Sequence, residues 1–193
     1  CGEACGAGDT LCGDTCADTD TATEHCGLCG RACSGNLSCL DGVCTVDDCL
    51  GQRFQGRDYV HCSEARDWVS ARNRCRELGM HLAVVTGDEE AAMLVNLSGG
   101  EEHWIGLNDQ NSEGTYRWVV TDPEATTGLN NGSLLSSFEN WASEEPNNAQ
   151  FCSGGFLGIG QNCRDEDCIA SRADGTWNDF DCEELLAYTC EGE

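Results

Sequence analysis

Oxygen-bearing side chains are concentrated in three short runs in the last third of the chain. The runs are Glu145-Pro146-Asn147, Glu166-Asp167-Cys168 and Trp177-Asn178-Asp179. Carboxylate and amide oxygens are the ligands of hard cations such as calcium, whereas zinc and copper favour nitrogen and sulfur. Cysteines lie within and around these runs, so disulfides could hold the three groups of oxygens together. The residue types therefore predict a calcium site, and the remaining sequence must indicate what that calcium is for.

The cysteines of the chain are unevenly spread and divide it in two. Of the 17 cysteines in 193 residues, nine lie in residues 1–44 and eight in residues 49–190. The first segment is too short and too poor in large apolar residues to bury a core, so disulfides must stabilise it. We therefore predict a disulfide-rich module at residues 1–48 and a larger domain at residues 49–193. This cysteine content is typical of a secreted or cell-surface protein.

The charge balance excludes several classes of partner. With 35 acidic residues, 10 arginines and no lysine, the formal net charge is −25. A negative field of this size repels nucleic acid and anionic lipid, and it favours bound cations. No apolar run approaches the roughly 18 residues of a membrane span, so we expect neither nucleic-acid binding nor membrane insertion. Because the sequence begins at a cysteine rather than a methionine, any signal peptide is expected to be absent already.

Residues 1–48 show neither helical nor strand periodicity, and Gly, Asp, Thr and Ser fill the intervals between their cysteines. Their spacing resembles the cysteine-rich repeat of stigma-specific-protein-like modules. The resemblance rests on Cys5, Cys12-Gly-Asp-Thr-Cys16, Cys26-Gly-Leu-Cys29-Gly-Arg-Ala-Cys33, Cys39 and Cys44. It implies four bridges, whose pairing the sequence does not define. Cys1 is left over, either as the end of an upstream repeat or for a bridge between chains. The Cys26-x-x-Cys29 spacing also occurs in zinc and redox sites, but the surrounding cysteines favour disulfides.

From Cys49 onwards the pattern predicts regular structure. A strand-like run contains Phe54, Tyr59 and Val60 and ends at Cys62, so Cys49 and Cys62 could close a hairpin. A first helix is predicted to begin at Ser63-Glu-Ala-Arg66 and to end at Gly79. Its apolar residues recur at spacings of three and four; they are Trp68, Ala71, Cys75 and Leu78.

A buried strand and a second helix are predicted next. Leu82-Ala-Val-Val85 is apolar throughout, as in a buried strand. Thr86 and Glu89 have the spacing of a capping box, and the helix after them is expected to end at Gly99-Gly100. Beyond this point the sequence predicts short strands and long loops.

Residues 49–193 resemble a C-type lectin-like domain of the long form. The resemblance rests on the two helices, Trp104-Ile-Gly-Leu107, Asn140-Trp141, Glu145-Pro146-Asn147, Trp177-Asn178-Asp179 and Tyr188-Thr189-Cys190-Glu191, in this order. It implies an α+β fold in which two helices flank antiparallel strands and a long loop region projects from one side. It also implies the bridges Cys75–Cys190, Cys168–Cys182 and Cys49–Cys62. Cys152 and Cys163 remain, and we expect them to bridge each other across an insertion.

The resemblance also implies a principal calcium site and a ligand for it. Sugar-binding members of the family hold this calcium with side chains that match Glu145, Asn147, Glu166, Asn178 and Asp179. Pro146 is expected to be cis, as in the family, so that the side chains on both sides of it point to one place. Because five side-chain oxygens leave calcium short of its six to eight ligands, adjacent sugar hydroxyls could complete the shell. In the family, Glu-Pro-Asn accompanies mannose-, glucose- or GlcNAc-type sugars and fucose, whereas Gln-Pro-Asp accompanies galactose.

A second, structural calcium is expected from the same resemblance. Its ligands would be Asp109, Glu113, Asn148, Glu166 and Asp167, with Glu166 contributing its backbone carbonyl. The predicted function is therefore calcium-dependent carbohydrate binding by a secreted lectin, with glycans or glycoconjugates as partners. Lectins with single weak sites gain avidity by clustering, so an oligomer is a further expectation.

Two insertions depart from the family pattern, at Ala149–Asp165 and roughly at Thr121–Asn130. The first lies beside the position of the sugar, where it could add contacts to a larger glycan or cover the site. An alternative function is therefore a protein- or surface-binding adhesion module on the same fold, with purely structural calcium.

The remaining candidate residues favour packing over chemistry. Four tryptophans are expected in the core, namely Trp104, Trp118, Trp141 and Trp177. His61, His81 and His103 are expected to be isolated. No Ser–His–Asp, Cys–His or paired-acid arrangement can be argued, because the acids needed for calcium would be held ionised. We therefore expect a binding protein and not an enzyme.

Overall fold

Residues 5–33 and 37–46 fold around disulfides and have little regular structure. The computed structural model describes residues 5–33, 37–46, 49–119, 132–135, 138–153 and 162–192. Two short hairpins are present, β1 (Thr10–Cys12) with β2 (Thr15–Ala17) and β3 (Ser38–Leu40) with β4 (Val43–Thr45). The bridges are Cys5–Cys16, Cys12–Cys29, Cys26–Cys39 and Cys33–Cys44. Cys26 and Cys29 are thus in separate disulfides, which excludes a zinc or redox site between them. Cys1 lies outside the described residues.

The larger part of the chain is an α+β fold, as predicted, with two helices in the described residues. The helices are α1 (Trp68–Glu77) and α2 (Asp88–Ser98). The strands are β5 (Cys49–Phe54), β6 (Arg57–Arg66), β7 (His81–Leu82), β8 (His103–Asn108), β9 (Arg117–Trp118), β10 (Phe151–Ser153), β11 (Asn162–Arg164), β12 (Cys168–Ser171), β13 (Trp177–Phe180) and β14 (Leu186–Gly192).

The main sheet has the order β13-β12-β8-β14-β6-β5, with β7 beside β14 and β9 beside β8. Its pairs are antiparallel except for β8 with β14, which run parallel. β10 and β11 form a separate two-stranded hairpin. β13 and β5 are therefore the two edges of the main sheet. Neither described helix is long and apolar enough to cross a membrane.

The first helix begins later than predicted. Residues 63–66 continue β6, because Arg66 pairs with Leu186 of β14. The prediction of a helix start at Ser63-Glu-Ala-Arg66 is therefore wrong. The N-cap is Asp67, whose carboxylate accepts the N–H of Ser70 at 2.9 Å. The helix ends before Gly79, which has a positive φ of 73°. The predicted hairpin is present, with Cys49 opposite Cys62 in the β5–β6 ladder.

The second helix has a different cap from the one predicted. Its N-cap position is Gly87, and the N–H and hydroxyl of Thr86 donate to Glu90 at 2.6 and 2.8 Å. The predicted partner, Glu89, is therefore wrong by one position, because Glu90 is the glutamate that faces the core and accepts the Tyr59 hydroxyl. The helix ends at Gly99 in the left-handed conformation, as predicted.

The predicted strand at residues 82–85 is shorter than expected. β7 covers His81–Leu82 alone. Ala83 still makes two backbone hydrogen bonds, to Thr189 and from Gly106, at 2.9 and 2.8 Å. The buried side chains of Leu82, Ala83 and Val85 account for the apolar run, although no regular ladder continues beyond Leu82.

Aromatic packing follows the prediction for the tryptophans. Trp104 and Trp177 are fully buried, and Trp118 is nearly so. Trp177 makes edge contacts with Trp118, Trp141 and Phe138 at ring distances of 5.6–5.7 Å. Trp141 is half-buried and packs against the same cluster. Aromatic side chains therefore pack against the first residue of β13, where the Trp-Asn-Asp run begins.

The second N-terminal hairpin, β3–β4, packs against the β5 edge and shares its core. Val43 and Thr45 are buried, and a Cβ on Gly51 would lie 3.0 Å from the Val43 Cγ1. Arg31 forms an ion pair with the buried Asp58. The β3–β4 hairpin thus lies at the opposite edge of the sheet from β13. The domain boundary at residue 48 and the resemblance of residues 1–48 to a stigma-specific-protein-like repeat stay predictions.

Two of the histidines are not isolated, contrary to the prediction. His61 and His103 are both buried, and their rings meet edge to face at 5.3 Å. His61 contacts the Thr189 hydroxyl through Nδ1 at 3.0 Å and the Glu101 carboxylate through Nε2 at 3.2 Å. His103 Nδ1 donates to the Glu101 carbonyl at 2.8 Å, and its Nε2 is buried with no hydrogen-bond partner. β6, β8 and β14 bring the pair together because they are neighbours in the sheet.

The histidine pair predicts a loss of stability in mild acid. Burial lowers the pKa of His103 to about 4 and also lowers the pKa of His61. At these two positions the unfolded chain takes up protons near pH 6.5 while the folded chain does not, so the contribution of the histidine pair to stability falls as the pH drops below that value. The raised pKa of Asp109 acts in the opposite direction, so the effect of the pair is measured as the difference between the wild type and a His103 variant. From His103 alone we expect the free energy of unfolding to fall by about 2 kcal/mol between pH 7 and pH 5. Urea titrations in EDTA measure this, and EDTA keeps bound calcium from contributing.

The matched variants are His103→Gln and His81→Gln. The first should reduce the dependence of stability on pH, whereas the second, which lies outside the pair, should leave it as in the wild type. An unchanged pH dependence in His103→Gln would show that the buried pair is not its source.

Candidate functional site

The loop at residues 138–150 is fastened to β13 along the Trp-Asn-Asp run. The Trp177 N–H donates to the Asn140 carbonyl at 2.7 Å, and the Ala142 N–H donates to the Trp177 carbonyl at 2.9 Å. The Glu145–Pro146 peptide bond is cis. β13 also pairs with β12, where Asp179 lies opposite Ile169. Two candidate ligand runs that are thirty residues apart in the chain therefore become neighbours in space.

Asp179 is the centre of the site. Its side chain is fully buried and accepts the backbone N–H groups of Asn147 and Asn148 at 3.2 and 2.8 Å. Burial raises the pKa of Glu145, and the hydrogen bond and charge of the adjacent Asp179 carboxylate raise it further. Two acids in contact are stable together only when a proton or a cation lies between them. The position is therefore suited to a metal ion.

Glu166 joins the same group from the start of β12. Its carboxylate accepts the Ala149 N–H at 2.9 Å, and its own N–H donates to the Asn148 Oδ1 at 3.2 Å. The side chain is buried, which raises its pKa, and the charges of Asp179 and Glu145 add to this. The three acids thus influence one another although they come from three segments of the chain.

Unsatisfied oxygens test whether these residues fit a calcium ion. Glu145 Oε2 and Asn178 Oδ1 are both buried and have no hydrogen-bond partner. Buried oxygens normally have one, so two such oxygens on the neighbouring loop and strand fit an electropositive partner. The donor set of carboxylates and amides, without nitrogen or sulfur, is the kind that calcium binds. The residues therefore fit the ion.

The carboxylate oxygens of the candidate ligands do not converge on one point. Among the described residues, no three carboxylates bring their oxygens within 4.8 Å of one another; the one group that close is Cys26, Cys33 and Cys44. Those cysteines are all in disulfides. The carboxylates of the site are thus more than 4.8 Å apart as a group of three, and the amide oxygens of Asn147 and Asn178 are further candidates beside them.

The residues expected at the auxiliary site are brought together in part. Asp109 is buried, its Oδ2 accepts the Gly114 N–H at 2.8 Å, and its Oδ1 has no partner. Burial raises the pKa of Asp109 to about 6, and the charges of Glu113 and Asp167 add to this. Asp167 also accepts the Asp109 N–H through its backbone carbonyl at 3.0 Å.

Asn148 and Glu166 belong more closely to the principal group. The Asn148 Oδ1 is used by the Glu166 N–H, and no contact of either residue with Asp109 or Glu113 is observed in the described part of the chain. The orphaned Asp109 Oδ1 nevertheless fits a cation. Sequence reasoning missed Tyr116, whose pKa is raised by burial and by the nearby Asp109.

Disulfides brace the segments that carry these residues. Cys168–Cys182 joins the start of β12 to the loop after β13, and Cys75–Cys190 joins α1 to β14. Cys49–Cys62 and Cys152–Cys163 are also formed. The three pairs that the resemblance implied, Cys168–Cys182, Cys75–Cys190 and Cys49–Cys62, are thus present, and Cys152–Cys163 is the remaining pair expected across the insertion.

Sequence reasoning also missed the residue that connects the inserted segment to the segment directly after β13. Arg164 in β11 lies 2.9 Å from Asp181 through its Nε and also pairs with Glu183. It is the only arginine between Arg117 and Arg172. A single basic residue directly before Asp165-Glu-Asp167 could have drawn attention to it. Residues 154–161 of the first insertion and the whole of the second, roughly Thr121–Asn130, lie outside the described residues.

Comparison with known proteins gives consistent matches for this part of the chain. A family model described as the lectin C-type domain matches residues 64–192. The versican core protein of Rattus norvegicus is 34% identical over 139 residues, which make up 72% of this chain but 4% of that protein. The chain therefore spans a small fraction of the length of this relative.

Solved structures match in fold. The mouse scavenger receptor C-type lectin carbohydrate-recognition domain aligns with a TM-score of 0.58 and 26% identity, over 74% of this chain and 93% of that one. The carbohydrate-recognition domain of cow CD23, solved in the presence of a GlcNAc2Man3 oligosaccharide, aligns with a TM-score of 0.53 and 26% identity, over 74% of this chain and 92% of that one.

Proposed function

Because the chain belongs to the C-type lectin domain family and has its fold, we propose that it binds carbohydrates through calcium and is not an enzyme. One observation carries this proposal. Asn147 and Asn148 donate from the loop at residues 138–150 to the buried Asp179 of β13, while Glu145 and Asn178 each keep a buried oxygen without a partner. The loop and β13 thus present buried oxygens that have no hydrogen-bond donor, and a calcium-dependent binding site requires such oxygens.

In this proposal five side chains hold the principal calcium. They are Glu145, Asn147, Glu166, Asn178 and Asp179. The ion supplies a positive charge and open coordination positions, which adjacent hydroxyls of a sugar can fill. The glutamates accept hydrogen bonds from the same hydroxyls, whereas the asparagines can also donate. The two backbone N–H groups on Asp179 keep its carboxylate in one orientation, so the loop and β13 stay in register.

The sugars proposed are mannose-, fucose- or GlcNAc-type residues with adjacent hydroxyls of suitable geometry. The Glu-Pro-Asn order supports them, and the cow CD23 domain, which aligns with this chain, was solved with an oligosaccharide of GlcNAc and mannose. A second, structural calcium is proposed at Asp109, Glu113 and Asp167, where Asp109 Oδ1 lacks a partner. Asn148 and the backbone carbonyl of Glu166 stay proposed as its further ligands, although the Asn148 Oδ1 accepts the Glu166 N–H in this structure.

A secreted or cell-surface location is proposed as well. The described residues contain eight disulfides, which form and persist in oxidising compartments. Glycans or glycoconjugates on other surfaces are then the accessible partners. An oligomer would add avidity to a single weak site, and nucleic acid or membrane insertion is not proposed for so acidic a chain.

A glycan array probed with and without calcium tests the proposed function. We expect binding to mannose- or fucose-bearing glycans in calcium and its loss in EDTA, with free mannose as competitor. Binding that persists in EDTA would overturn the calcium-dependent mechanism. Calcium binding without any glycan binding would instead favour the adhesion module with structural calcium.

Exchange of the motif residues predicts a change of sugar preference. In Glu145→Gln with Asn147→Asp the charges of the two positions are swapped while their number of oxygens is kept. We expect selectivity to shift from mannose towards galactose, because acceptors and donors change places around the hydroxyls. Competition by free mannose and free galactose measures the shift. Unchanged selectivity would assign it to the inserted segment rather than to the motif.

A further inference from the structure

The hairpin β10–β11 grows directly out of the two segments that carry candidate calcium ligands. It begins at Phe151, four residues beyond Asn147, and it ends just before Asp165 and Glu166. The Ala149 N–H donates to the Glu166 carboxylate at 2.9 Å, and the Gln150 side-chain amide donates to Asp165 at 2.8 Å. Because these bonds lie at the base of the hairpin, any displacement of the hairpin displaces ligand residues on both sides of it.

One side chain links this hairpin by ion pairs to the segment directly after β13. β10 and β11 pair with each other and with no other described strand. Arg164 lies at the end of β11 and contacts Asp181 Oδ2 at 2.9 Å through Nε, and it also pairs with Glu183. Asp181 is itself fixed, since it is buried and its Oδ1 accepts the Glu183 N–H at 3.0 Å. Asp181 follows Asp179 by two residues, so the link reaches the other half of the site.

We propose that Arg164 is a positioning residue for the calcium site. Through Asp181 it holds the segment with Asn147 and Glu166 against the segment with Asn178 and Asp179. The inference rests on the proposed function, because it concerns the same calcium. Nothing in the sequence resemblance assigns a role to this arginine, which belongs to the insertion.

A positioning role and a purely electrostatic role of Arg164 predict opposite changes in calcium affinity when the arginine is removed. Arg164 is a cation close to a site for a cation, so its removal should strengthen calcium binding if charge were its whole contribution. If Arg164 positions the two halves of the site, its removal should weaken calcium binding, because the ion must then order the hairpin itself. The two explanations therefore differ in sign.

The test uses the full chain with Arg164→Gln, Arg164→Lys and the control Arg74→Gln. Arg74 forms an exposed ion pair with Glu77 at the end of α1, so the control removes the same charge elsewhere. In calorimetric titrations with calcium chloride we expect Arg164→Gln to raise the Kd about tenfold, as loss of an outer partner of a metal site does. Arg164→Lys retains a charge that can pair with Asp181 and should stay within about threefold of the wild type, and so should the control.

Hydrogen exchange in EDTA provides a readout that does not depend on bound calcium. Residues 149–153 and 162–166 should exchange faster in Arg164→Gln, while α2 should exchange as in the wild type. Equal or tighter calcium binding in Arg164→Gln would overturn the positioning role. Absence of calcium binding in the wild type would overturn the proposed function instead, so the two failures are distinguishable.

Discussion

Asp179→Asn is expected to weaken calcium binding at least about 100-fold and to abolish retention on mannose-agarose. Loss of an outer partner of a metal site already costs about 10- to 100-fold, and Asp179 is proposed as a direct ligand. The substitution removes the buried charge at the centre of the site. It also places an amide N–H₂ group opposite the N–H of either Asn147 or Asn148, because these two groups donate to different oxygens of the carboxylate. Calorimetry with calcium chloride measures the affinity.

The control for this variant is Asp174→Asn. Asp174 is exposed and accepts from Thr176 in the turn before β13, so the same chemical change is made outside the site. We expect its calcium affinity to remain within about twofold of the wild type. If Asp179→Asn fails to fold, Glu145→Gln provides the same measurement from a half-buried position. Wild-type affinity in folded Asp179→Asn or Glu145→Gln protein would place the calcium elsewhere.

The candidate site could be predicted to the extent that it depends on short motifs. Glu145-Pro146-Asn147 and Trp177-Asn178-Asp179 carry their oxygens within three residues, so residue type and order already specify the donor set. The hydrogen bonds from Asn147 and Asn148 to Asp179 could not be predicted, because they depend on how the loop crosses β13. Arg164 was missed for the same reason, since its partners Asp181 and Glu183 are distant in the chain.

The fold shows the same division between local and long-range information. The ends of both helices were predicted at Gly79 and Gly99, because a residue with positive φ is a local property of the chain. The start of α1 was wrong because pairing of Arg66 with β14 extends β6 through residues that would otherwise suit a helix. The cap of α2 was wrong because a hydroxyl from β6, on Tyr59, selects Glu90. Long-range pairing overrides local preference in both cases.

Two of the disulfides close loops of very different length, and we expect loss of the bridge that closes the longer loop to cause a large loss of stability. Cys75–Cys190 closes a loop with a sequence separation of 115, whereas Cys152–Cys163 closes one of 11. Loop-closure entropy gives about 5 kcal/mol for the former and about 3 kcal/mol for the latter. Cys75 and Cys190 are also fully buried between α1 and β14. We therefore expect Cys75→Ala with Cys190→Ala to reduce the free energy of unfolding by about 5 kcal/mol in urea titrations.

Cys152→Ala with Cys163→Ala is the matched comparison, and the two variants should reverse their order in calcium binding. The bridge at Cys152–Cys163 lies in an exposed hairpin whose base contacts Glu166, so its loss should cost less than about 3 kcal/mol of stability. It should nevertheless weaken calcium binding more than loss of the Cys75–Cys190 bridge does, because the hairpin is part of the site and α1 is not. If the Cys75–Cys190 variant lost more than the Cys152–Cys163 variant both in stability and in calcium affinity, the hairpin would contribute to stability alone.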